Sequence, residues 1–117
     1  MRLFVRLVAG LILLTLIGLM VGPFGGAQAQ TGINDKLAHV VAFTIIPICL
    51  AIDFPFGRLS TLAGVSLLLG GVIEIVQGWV GRDASWGDWA SDAVGIAIAV
   101  LILGALRLRG ARKVAQG

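Results

Sequence analysis

The chain has 117 residues, of which 58% are hydrophobic and 13% charged, with a mean hydropathy of +1.02. A water-soluble domain of this size needs far more charge to cover its surface, so the composition points to a bilayer as solvent. The net charge of +3 and pI near 10 do not mark a nucleic-acid binder, because the basic residues sit at the ends of apolar stretches and form no soluble basic face.

Four apolar stretches follow one another, and together they predict a single all-α membrane domain over residues 1–117. The expected helices cover about 3–21, 35–52, 59–80 and 89–108. Crossing the hydrocarbon core takes about 17–25 residues. The first, third and fourth stretches have that length, and the second has it only if its polar first turn, Asn34 to Lys36, joins the helix with Asn34 as N-cap. Strands are excluded because an open sheet edge cannot face lipid and four segments cannot close a barrel. The connections are a small, nearly uncharged segment at 22–34, a Pro/Gly turn at 53–58 and a polar segment at 81–88. The basic tail at 109–117 is expected to fray. Pro47 is expected to kink helix 2. Cys49 is the only cysteine, so no internal disulfide forms.

Lys and Arg set the orientation. With the N-terminus inside, seven basic residues (Arg2, Arg6, Arg58, Arg107, Arg109, Arg112, Lys113) lie on the cytoplasmic side and two (Lys36, Arg82) outside. Both termini are therefore expected in the cytoplasm. Trp79, Trp86 and Trp89 fall at the outer ends of helices 3 and 4, where an interfacial aromatic belt belongs. Residues 1–29 also read as a secretory signal: a basic start, an apolar run, and Ala27-Gln28-Ala29 as a cleavage site. The length of the run favours a retained helix. Cleavage would leave three helices in the same orientation.

The polar residues concentrate at the outer end. Asp35, Glu74, Asp83, Asp88 and Asp92 lie there with Lys36, Arg82 and His39, the only histidine. Glu74 precedes Val80 by six residues, about 9 Å inside the helix end. An ionisable group at such depth is costly unless paired or hydrated, and marks a candidate site. Asp35 and His39, Glu74 and Gln77, and Asp88 and Asp92 each share one helix face. Turning the three stripes towards one another keeps them out of lipid, with Lys36 and Arg82 as cations to offset the carboxylates. Ser91, Gly95 and Ala99 form a small-residue seam on helix 4 that permits close helix approach. Ser85-x-x-Asp88 matches a capping box at the start of that helix.

Taken in order, these residues resemble the VanZ-like family of bacterial membrane proteins. The resemblance rests on Asp35-Lys36 with His39 and Phe43, on Glu74-x-x-Gln77, and on Arg82, Asp88, Asp92 and Gly95. The motifs cover roughly residues 35–95, in a VanZ-like region of about 35–105. The chain departs from the family pattern at Asp92, where the family usually has Asn. The resemblance implies a multi-pass protein of the bacterial cytoplasmic membrane with a role at the cell envelope, linked through the family's name to teicoplanin-type glycopeptide resistance. It supplies no settled reaction.

Three functions stay open. One is a binder of an extracytoplasmic lipid-linked or amphiphilic ligand, with Asp35, Lys36, His39, Glu74, Gln77, Arg82, Asp88 and Asp92 as ligand-binding residues. Another is a small membrane enzyme with His39 and Glu74 as acid/base and Arg82 holding an anionic group. The last is a structural subunit whose polar residues only specify packing, with His39 tied to Asp35 or a neighbouring helix, Glu74 to Arg82 or Lys36, and Gln77 to Glu74 or across helices. The expected partner common to all three is the lipid bilayer, with no nucleic acid. No phosphate loop, nucleophile elbow or metal-spaced histidine pair is present, and no cofactor is expected. One histidine with carboxylates is compatible with a divalent cation, though the spacing does not demand one.

Overall fold

The computed structural model describes residues 1–21, 33–81 and 85–117, with side chains from residue 36 onward in the second of these segments. The described chain is all-helical. It contains α1 (Arg2–Val21), α2 (Ile33–Asp53), α3 (Leu59–Trp79) and α4 (Trp86–Gln116). Each is long and apolar enough to cross a membrane. At 1.5 Å per residue, the 20 or 21 residues of α1, α2 and α3 make rods of about 30 Å, which matches a hydrocarbon core.

The helices run up and down in chain order. At one end, Arg107 of α4 donates from Nη1 to the carbonyl of Gly57, in the turn between α2 and α3, at 2.8 Å. At the other end, Gln77 near the close of α3 reaches the last turn of α1, and Lys36 near the start of α2 reaches Asp88 near the start of α4. Helix α2 is central and touches all three others, most extensively α4. The core is Ala42, Phe43 and Ile46 from α2, Ile73 from α3 and Ile96 from α4. Leu13, Leu16 and Ile17 of the peripheral α1 pack against it.

Polar and apolar residues are distributed as lipid solvent favours. Leu3, Leu14, Leu68, Leu101 and Leu108 face outward, while His39, Ser66, Glu74, Gln77, Asp88, Ser91 and Asp92 are buried. A water-soluble fold does the reverse.

The element bounds differ from the sequence reading by more than one residue at the start of α2 and at both ends of α4. Helix α2 starts at Ile33 and includes the polar turn it needs to span, and it stays helical through Pro47. Asn34 thus lies inside the first turn rather than ahead of it. Helix α4 starts at Trp86 and not 89, because the Ser85 side chain accepts from the Asp88 backbone N–H at 3.1 Å and caps it there. It also runs on to Gln116 instead of ending near 108 and fraying. Hydropathy marks where lipid contact ends, whereas the helix continues through Ala, Leu, Arg and Lys. These are strong helix formers, and the cations among them suit a helix C-terminus.

The small-residue seam brings α2 and α4 together. Ser91, Gly95 and Ala99 are all buried. A methyl group on Gly95 would overlap the Val40 carbonyl oxygen and stand 3.0 Å from the backbone of Phe43 and Thr44. Thr44 uses this closeness: its hydroxyl bonds the Val40 carbonyl at 2.7 Å and lies 3.3 Å from the Gly95 carbonyl.

Candidate functional site

Four side chains from three helices meet at the end of the bundle where α2 and α4 begin and α3 finishes. His39 stands nearly two turns into α2, on the face turned to α4. Its Nδ1 is 2.6 Å from Asp92 Oδ1. An ionised carboxylate only accepts, so Nδ1 carries the proton and donates it. That bond points Nε2 towards Asp88, whose Oδ2 is 4.0 Å away. The Glu74 Oε1 atom lies 3.9 Å from Nδ1. All four groups are buried, with Asp92 0% exposed and His39 3%.

Each group has a structural reason for its place. Asp88 and Asp92 lie one turn apart on α4, so one carboxylate is presented above the other. The space Asp92 occupies exists because α3 carries Gly70 opposite: a methyl group there would stand 2.8 Å from Asp92 Oδ2 and 3.3 Å from the Phe43 ring. Glu74 is one turn after Gly70 on the same face. Its Oε2 accepts from the backbone N–H of Ser85 at 3.1 Å. Ser85 therefore joins α3 to α4 through its amide while its hydroxyl caps α4. Glu74 Oε1 has no hydrogen-bond partner among the described residues. Lys36 Nζ lies 3.4 Å from Asp88 Oδ1, with half of its side chain exposed.

The sequence-predicted candidates thus divide. His39, Glu74, Asp88, Asp92 and Lys36 come together. Gln77 turns elsewhere: its Nε2 donates to the Met20 carbonyl of α1 at 2.7 Å, not to Glu74. Of the pairings considered, His39 takes one to a neighbouring helix, and Lys36 joins Asp88 rather than Glu74. The Asp35 side chain, Arg82, Asp83 and the Ala27–Ala29 segment lie outside the described residues.

Beside the cluster is a groove of about 410 Å³ lined by Gly71, Glu74, Ile75, Ser85, Trp86 and Trp89. Trp86 and Trp89 meet edge to face, with ring centroids 5.8 Å apart. The Trp89 indole N–H donates to the Leu67 carbonyl at 3.2 Å, which fixes that ring against α3. Trp86 is 83% exposed. Glu74 belongs to both the groove and the cluster, so a largely apolar trough has one carboxylate residue in its lining. The roles of Gly70, Gly71 and the Ser85 amide went unread in the sequence. The placement of Gly70 four residues before Glu74, a small residue on the same helix face, is the signal that could have found the first.

Three functions are open to such an arrangement. Three carboxylates and an imidazole can exchange protons, hold a cation, or receive hydrogen-bond donors from a headgroup. One ligand atom each from His39, Glu74 and Asp88 lie within 4.8 Å of one another. Comparison with known proteins gives no match: no family model, no curated protein and no solved structure is similar enough to carry a function over.

Proposed function

We propose that the chain is a multi-pass protein of the bacterial cytoplasmic membrane, with both termini in the cytoplasm, that binds an amphiphilic or lipid-linked ligand at the outer membrane–water boundary. The observation that carries this reading is the groove between α3 and α4. Its lining is mostly indole and aliphatic surface, with Glu74 among the lining residues. Ligand sites commonly combine a largely apolar lining with a few convergent polar groups. An amphiphile matches this layout, with its tail along Ile75, Trp86 and Trp89 and its headgroup at the polar cluster. The seven-to-two bias of basic residues supports an outer position for that end. The VanZ-like motif order supports a cell-envelope role and makes teicoplanin-type glycopeptides and lipid-linked cell-wall precursors the first probes.

The test is a titration of the purified protein in nanodiscs with teicoplanin and with a lipid-linked cell-wall precursor, read by tryptophan fluorescence. All three tryptophans lie at this end of the bundle. Saturable quenching that is lost in Trp86→Ala, with protein abundance unchanged, supports the reading. Absence of saturable binding by both probes sinks it.

A second reading, a membrane enzyme acting on a lipid-linked substrate, is favoured by the 2.6 Å His39–Asp92 pair with Glu74 beside it. A carboxylate orienting an imidazole is the arrangement of a general base. Product formation in the same nanodiscs would select it over simple binding.

A further inference from the structure

We propose that His39, Glu74 and Asp88 form a binding site for one divalent transition-metal ion of the Mn²⁺ or Zn²⁺ type, with Asp92 orienting the imidazole. The site requires neither a ligand in the groove nor catalysis, so it goes beyond the function proposed above.

Spacing is the first support. Ligand atoms about 2.1 Å from one ion lie at most about 4.2 Å apart. The three candidate atoms lie within 4.8 Å of one another, so side-chain rotations of about half an ångström close the set. The 4.0 Å from His39 Nε2 to Asp88 Oδ2 is too long for a hydrogen bond and suits two ligands of one ion, and Glu74 Oε1 stands 3.9 Å from the other ring nitrogen, Nδ1, on the side of the imidazole that Asp92 orients.

Glu74 is the second and independent support. It is 8% exposed, and its Oε1 has no hydrogen-bond partner among the described residues while facing the imidazole. A buried carboxylate oxygen left unpaired is costly, and a cation at this point satisfies it.

The third support is the orientation of His39. A metal-bound histidine commonly donates its other ring N–H to a carboxylate, which fixes tautomer and ring plane. Asp92, fully buried and 2.6 Å from Nδ1, is such a partner and leaves Nε2 as the ligand atom on the Asp88 side. One imidazole with carboxylates suits Mn²⁺ or Zn²⁺ better than the all-oxygen preference of Mg²⁺ and Ca²⁺. Charge agrees. Glu74, Asp88 and Asp92 contribute three carboxylates, against which the half-exposed Lys36, beside Asp88, is the one cation in contact among the described residues.

The experiment uses the full chain without an affinity tag, purified in detergent and stripped with a chelator. Equilibrium dialysis with Mn²⁺ and with Zn²⁺ is expected to give one bound ion per chain. Pulsed electron paramagnetic resonance of the Mn²⁺ form is expected to show an imidazole nitrogen coupling. The chain has one histidine, so that signal assigns His39 without any substitution. Glu74→Gln and Asp88→Asn are each expected to weaken binding by about tenfold or more. No saturable binding of either ion, binding without the imidazole coupling, or full affinity in Glu74→Gln would overturn the proposal. If the variants do not fold, the wild-type nitrogen signal alone decides.

Discussion

His39 Nδ1 and Asp92 Oδ1 meet at 2.6 Å across the interface of α2 and α4, and neither side chain has more than a trace of exposed surface. The bond ties together the two helices that pack most extensively. It also sets which nitrogen of the imidazole faces Asp88. Packing and chemistry therefore depend on the same pair of atoms, and substitutions can separate them.

Asp92→Asn keeps an oxygen that accepts the Nδ1 proton, whereas Asp92→Leu removes it and leaves a buried imidazole N–H. The leucine variant is expected to lose about 1–3 kcal/mol more stability than the asparagine variant. Denaturant titration in mixed micelles, followed by circular dichroism, checks this. Equal stability of the two would show that the bond contributes nothing to folding.

Two glycines should respond oppositely to alanine. At Gly95 the new methyl meets backbone atoms of Val40, Phe43 and Thr44, which have no rotamer by which to yield. At Gly64 it meets nothing within 4 Å. Gly95→Ala is expected to cost about 1–3 kcal/mol and to part α2 from α4. Gly64→Ala should be neutral or slightly stabilising, because helix propensity favours Ala by about 1 kcal/mol. The same denaturant titration reads both, and a tolerated Gly95→Ala would contradict the close approach.

Gln77 holds the end of α1 through the Met20 carbonyl in the last turn of that helix. Gln77→Leu should weaken the hold of α1 by about 0.6–2 kcal/mol, the range for polar contacts between membrane helices. Faster proteolysis in the segment after α1, compared with wild type, is the expected readout.

Sidedness can be read with topology reporters fused after residues 28, 56, 84 and 117. Outside signals are expected at 28 and 84, and inside signals at 56 and 117. The reverse pattern would put the polar cluster in the cytoplasm and remove the basis for an extracytoplasmic ligand.

Much of this was legible from the chain alone, for identifiable reasons. Hydropathy summed over some twenty residues marks each helix, and the Ser85 cap follows from a local rule. Convergence of His39, Glu74, Asp88 and Asp92 follows from their common depth and from the cost of facing lipid. Which atoms pair could not be read. The choice of Asp92 for His39 depends on how α2 and α4 rotate about their axes, which Gly95 and Gly70 settle through backbone contacts. Gln77 bonds a backbone carbonyl, and every residue has one, so its partner leaves no trace in the sequence. The groove beside Glu74 needs α3 and α4 in three dimensions before Trp86 and Trp89 become its walls.

Helix α4 has 31 residues, about 46 Å, against a hydrocarbon core of about 30 Å. In a bilayer roughly ten residues of unbroken helix must therefore stand clear of the lipid tails, and Arg107, Arg109, Arg112 and Lys113 are carried on that rigid post at fixed heights. Sliding the protein one way would drag those charges into the tails, and sliding it the other way would pull the tryptophans from their boundary. In a bilayer the far end of one long helix would thus act as a depth gauge that sets how near to the water at the polar end the Glu74 carboxylate rides.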